Sequence, residues 1–258
     1  MESKWQPNYL NEIEEILVHS AKYSYEENLR FTYQSNDFNS RMIEYLVVVN
    51  IAKNLYNWAW DRFIQVQLEY SVLNFYNGAF PEFCFKTKIR RQSQKSKDLR
   101  TGRIDIALTK NPKYLYAYRN PSVKSLVGIE VKSFTKSIST VKKDLIRLSN
   151  SLILKDPIGT NSIKACYMIF YRKLDKPNEI VEDERIHELK KKEILKWEHI
   201  LSSIRNDFMD LNYTLQPIDI KEAALAELLE RFDPDITDQR EVAENSGLLM
   251  CYLIKIKK

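Results

Sequence analysis

The stretches GRIDIAL at Gly102–Leu108 and VGIEVKSF at Val127–Phe134 decide how this chain reads. In the second, Glu130 and Lys132 stand two residues apart, so a strand sends both to one face while Val131 points to the other. In the first, Asp105 sits between Ile104 and Ile106, the pattern of an acid on one face of a strand whose other face is buried. Both pieces are short, rich in β-branched residues and bounded by polar or turn-forming residues, and Asn111–Lys124, with Pro112 and Pro121, connects them.

Working outward, Phe83–Arg90 reads as a further strand before the pair. The segment Phe63–Phe80 fits two templates. Its alternation from Ile64 to Tyr70 predicts a strand at the beginning, while Phe63, Val66, Tyr70 and Leu73 also fit helical spacing, and we read a helix after Ser71. Helices are expected over residues 9–29, where Leu10, Ile13, Ile16 and Leu17 form a stripe, and from Ser40 to Trp60, capped by Asn39 or Ser40. After the acidic strands come a helix at Ser139–Leu154, a strand at Ala165–Tyr171 and a helix over residues 183–208. Leu211–Ile218, Lys221–Phe232 and Leu248–Ile256 read as strand, helix and closing strand. The order predicts an α/β fold in which a mixed central sheet is flanked by helices. We expect one domain over 1–258: an N-terminal helical segment (1–39), a core (40–172) and a helix-rich C-terminal elaboration (173–258).

Composition removes several function classes. With five glycines, at positions 78, 102, 128, 159 and 247, neither a Walker A loop nor a GxGxxG turn can be written, so the phosphate cradles of ATPases, kinases and Rossmann enzymes are missing. The three histidines, His19, His187 and His199, form no close pair, and there is no CxxC or HExxH, which argues against a structural zinc or zincin site. Cys84, Cys166 and Cys251 are widely spaced in apolar stretches and are expected to be buried, reduced thiols. The longest apolar run, near Leu46–Val49, is far short of the roughly 20 residues of a membrane helix. The opening MESKWQPNYLNEIEEI lacks the order of a secretory signal, so a cytoplasmic location is expected.

Two acids and an amine on neighbouring strands suit phosphodiester cleavage. That reaction uses a hard cation to neutralise phosphate oxygens and sharpen a bound water, and Mg²⁺ takes carboxylate oxygens while keeping several waters. Asp105 and Glu130 are the candidate ligands, with the carbonyl of Val131 as a third oxygen; Mn²⁺ is expected to substitute. Lys132 is suited to hold the attacking water and to offset charge developing on the phosphate. An aspartate on one core strand and Glu-x-Lys on the next resembles the signature of the PD-(D/E)XK nucleases. Asp105 then matches the motif aspartate, Glu130 the second acid and Lys132 the lysine, while Ile104 stands where the motif's name has proline. The resemblance covers roughly residues 40–172. It implies a restriction-endonuclease-like core and an Mg²⁺-dependent endonuclease, with defence against foreign DNA among the roles such enzymes take. It also implies a further glutamate on the helix before the sheet, for which we prefer Glu44 over Glu69. The alternative reading of the acids is a cross-strand salt bridge between Lys132 and Asp105 on a solvated sheet face.

Local charge points to a polyanion. Lys86, Lys88, Arg90, Arg91, Lys95, Lys97, Arg100 and Arg103 lead into Asp105, opposed only by Asp98, on a chain whose formal net charge is +5. Lys143 and Arg147 are expected on the substrate side of the helix after Glu-x-Lys. The expected partner is nucleic acid, DNA more than RNA. Any energy-driven translocation would fall to a separate ATPase or helicase subunit, and a homo-oligomer stays open. The other function class consistent with these residues is a binding or scaffolding module that keeps the nuclease-like fold without turnover.

Overall fold

The computed structural model describes residues 5–33, 44–79, 102–110, 123–133, 137–154, 161–174, 183–218, 220 and 248–258. Helix α1 (Tyr9–Tyr33) buries Ile13, Leu17 and Ala21, one residue per turn on a single face, and α2 (Glu44–Trp60) does the same with Val47, Ile51 and Leu55. The ambiguous segment resolves as β1 (Gln65–Ser71) followed by α3 (Val72–Asn77). Then come β2 (Arg103–Lys110), β3 (Lys124–Lys132), α4 (Ile138–Ile153), β4 (Ala165–Leu174), α5 (Asp183–Asp207), β5 (Asn212–Ile218) and β6 (Leu248–Lys257).

The strands form one six-stranded sheet in the order β1-β2-β3-β4-β6-β5. Only β3 and β4 run parallel, and α4 is the crossover between them. Alternation along the strands feeds two apolar layers. Val127, Ile129, Val131, Tyr167, Ile169 and Leu253 pack against α1 and α2. Cys166, Met168, Phe170, Tyr252 and Ile254 pack against α3, α4 and α5, where Trp197, Leu201 and Ile204 form the inner stripe of α5. The architecture is the mixed α/β sandwich that the element order implies.

The segment after residue 172 contributes two of the six strands, and β6 lies between β4 and β5 rather than outside the core sheet. A salt bridge reinforces this half: Arg172 on β4 donates from Nε to Glu193 Oε1 at 3.0 Å, and the same oxygen accepts from Trp197 Nε1 at 3.0 Å. Cys166 and Cys251 are free and buried, as expected. No helix among the described residues is long and apolar enough to cross a membrane. The strand expected at Phe83–Arg90, the helix at Lys221–Phe232, the caps Asn39 and Ser40, and Cys84 all lie outside the described residues.

Candidate active site

The site begins where β2 and β3 part. Their antiparallel ladder ends at the pair Ile106↔Ile129, and beyond it the Val131 N–H donates to Asp105 Oδ2 at 2.7 Å, so a carboxylate takes the bond that a neighbouring strand would otherwise accept. On its other side β2 stays in register with β1, pairing Leu68↔Ile106 and Tyr70↔Ile104 around Glu69. Glu69 sits at φ 50°, in the left-handed region. Ile104 packs on the α3/α4 side and Ile106 on the α1/α2 side, so strict alternation breaks at Asp105. Such irregularities re-aim a side chain.

On β3, Val131 enters the core beneath α1 and α2, leaving Glu130 and Lys132 to face α4. The Lys132 ammonium donates to the Val131 carbonyl at 3.0 Å. It stands 3.6 Å from Asp144 Oδ2, 3.7 Å from Glu44 Oε1 and 3.9 Å from Asp105 Oδ2. Burial pulls its pKa down, but Asp105, Glu130, Glu44 and Asp144 together hold it above the usual lysine value. A pair joining Lys132 and Asp105 therefore exists, within a wider cluster. The side chains are only 18% and 14% exposed, so this is not a solvated sheet face.

Helix α4 closes the cluster from above. Arg147 donates from Nη2 to Glu130 Oε1 and pairs with Asp144 Oδ1 at 2.8 Å. The Tyr76 hydroxyl on α3 donates to the Arg147 carbonyl at 2.8 Å, tying the helix down at this turn. Gly102, at φ 118°, lies against the same guanidinium: a Cβ there would stand 3.3 Å from Arg147 Nη1.

Glu44 reaches the site from the first turn of α2. Its Oε2 accepts from the Ser133 N–H at 3.0 Å and from the Ser133 hydroxyl at 3.4 Å, which fixes it at the end of β3. Glu69 is exposed and pairs with Arg103 at 3.5 Å. Of the two glutamates weighed from sequence, Glu44 is the one gathered to Lys132. Arg103 is exposed at the start of β2, and Lys143 is exposed on α4. Arg90, Arg91, Lys95, Lys97 and Arg100 lie outside the described residues.

Asp144 was not anticipated. Its signal was present, since it falls within the inner stripe of α4 formed by Val141, Leu145 and Leu148, where an acid has no place unless it meets a buried cation. Glu130 is buried more deeply than an open metal site would leave it. A polar, partly exposed position suits a ligand, yet its side chain is 1% exposed, because α4 and Arg147 cover it.

With every group charged, the acids Glu44, Asp105, Glu130 and Asp144 face the bases Lys132 and Arg147, a formal balance of −4 + 2 = −2. Burial, and then the Asp105 charge, push the Glu130 carboxyl well above the usual range. Burial raises Asp105 as well, against the pull of Lys132 and the Val131 N–H. Were Asp105 and Glu130 both ionised, these oxygen donors would be of the kind a hard divalent cation takes. Among the described residues no three His, Cys, Asp or Glu side chains are grouped as a metal cage; the oxygens expected from sequence to hold a cation are those of Asp105, Glu130 and the Val131 carbonyl, the last of which accepts from Lys132. Set against models of protein families, curated proteins and solved structures, the chain matches none.

Proposed function

We propose that this chain is a metal-dependent nuclease of the PD-(D/E)XK type that hydrolyses phosphodiester bonds, with DNA favoured over RNA as the substrate. The observation that carries the reading is the gathering of Asp105, Glu130, Lys132 and Glu44 at the point where β2 separates from β3. Asp105 and Glu130, with the Val131 carbonyl, would hold Mg²⁺ or Mn²⁺. When bound, the cation would neutralise phosphate charge and lower the pKa of a coordinated water. Lys132, held by three acids, would orient that water and balance charge on the phosphate. Glu44, anchored by Ser133, would bond to the cation's outer waters. A role in defence against foreign DNA would follow from the resemblance alone.

One observation favours a second reading, a nucleic-acid-binding or scaffolding module without turnover: Arg147 already satisfies Glu130. The test is incubation of the purified chain with plasmid, single-stranded DNA and RNA in Mg²⁺, Mn²⁺ or EDTA. Cleavage in either metal and none in EDTA is the expected result. Retention of nucleic acid with no cleavage under any condition would transfer the assignment to the module.

A further inference from the structure

Arg147 holds a position that a bound cation would contest. Its guanidinium donates to Glu130 Oε1, and Glu130 is also one of the two acids that the nuclease reading assigns to the metal. A guanidinium and a dication on one carboxylate repel each other strongly in a site shielded from water. Arg147 has somewhere else to remain. Asp144, one turn earlier on the same helix, binds it through Oδ1 and reserves Oδ2 for Lys132, so one carboxylate tethers both bases. The Arg147 backbone is fixed by Tyr76, while its side chain is a fifth exposed. Its Nε is buried and makes no hydrogen bond, leaving a donor unused in the present arrangement.

Resting on the nuclease reading, we propose that Arg147 is the resident counter-cation of Glu130, displaced when a divalent cation binds and then, tethered by Asp144, free to take a phosphate oxygen of the nucleic acid. The arginine serves two anions in turn. A planar guanidinium suits both, because it pairs with carboxylate and phosphate in the same forked geometry. Before the metal arrives, it prevents a buried carboxylate from standing unpaired. Afterwards it adds a positive charge beside the phosphate, at the moment the cation has taken over Glu130.

Direct titration of Mn²⁺ into the chain without nucleic acid, monitored by calorimetry, tests the exchange. Arg147→Met removes the competitor and is expected to bind Mn²⁺ about tenfold more tightly than the wild-type chain, and Arg147→Lys, a point charge on a shorter reach, by an intermediate factor. In a Lys132→Ala background, which keeps the oligonucleotide intact, Arg147→Met should weaken duplex binding in Mn²⁺ and leave it unchanged in EDTA. Should Arg147→Met prove too unstable to measure, Arg147→Lys carries the same comparison. Equal or weaker Mn²⁺ binding by the variants, with the wild-type chain still binding, overturns the exchange and leaves the nuclease reading intact. If neither wild type nor variant binds Mn²⁺ at all, the metal-dependent reading falls and takes this inference with it.

Discussion

At the scale of single residues, the site is a set of charges that constrain one another. Lys132→Ala, Asp105→Asn and Glu130→Gln are each expected to remove cleavage, and a double variant should be little worse than a single one, because residues acting as a unit are not additive. Gel assays on plasmid with Mg²⁺ check this, and full cleavage by Lys132→Ala would refute the assignment. Burial raises both Glu130 and Asp105 in the folded chain, so the native state holds protons that the unfolded chain has released. The stability these two groups add to the metal-free protein is therefore fully present below the ordinary carboxylate values, roughly pH 4, and is lost as pH rises through the raised folded values. Urea denaturation in EDTA across this range measures the slope. Asp105→Asn/Glu130→Gln should flatten it, and saturating Mg²⁺, which favours the charged forms, should do the same. Glu130 and Lys132 on β3 were legible in sequence because a period of two is a local property of a strand, whereas Asp105 lies where that period breaks, between Ile104 and Ile106 on opposite sides of the sheet. Asp144 and Arg147 were harder to assign: the stripe hints that Asp144 faces inward, but only tertiary packing shows that it meets Lys132 and that Arg147 meets Glu130 instead of open solvent.

At the scale of elements, the position of the acids depends on how tightly α3 packs on β3. A Cβ added at Gly128 would stand 2.9 Å from the Phe75 ring, closer than side-chain packing allows, and Gly128 lies two residues before Glu130 on the same face. Gly128→Ala should destabilise the chain by about 1–3 kcal/mol, as overpacking does. Adding Phe75→Leu should restore part of that loss, which thermal melts of the wild type and the two variants would reveal. Most elements could be read ahead of the structure because their apolar spacing is regular, as in α1 with Ile13 and Leu17 or in α5 with Trp197, Leu201 and Ile204. Position within the sheet was less legible. Nothing in Leu248–Ile256 indicates that this strand lies inside the sheet next to β4, since partner choice between distant strands leaves no local pattern.

At the scale of the whole molecule, the nuclease reading would give the basic run from Arg90 to Arg103 a part in substrate capture. Neutralising Arg90, Arg91, Lys95 and Lys97 together is expected to weaken polyanion binding and lower the salt slope by up to about 0.9 for each phosphate no longer neutralised, without altering Mn²⁺ affinity. An unchanged slope, read from filter binding over a salt series, would assign those residues to solvent. The central pairing of β4 with β6 has a kinetic consequence. Cys166 meets Ile256 and Leu174 meets Leu248, pairings of long sequence separation that can form only after a large loop has closed. Until then the buried strand Ala165–Leu174 presents an unpaired apolar edge, so refolding should be slow and concentration-sensitive, with aggregation competing against the last strand's arrival.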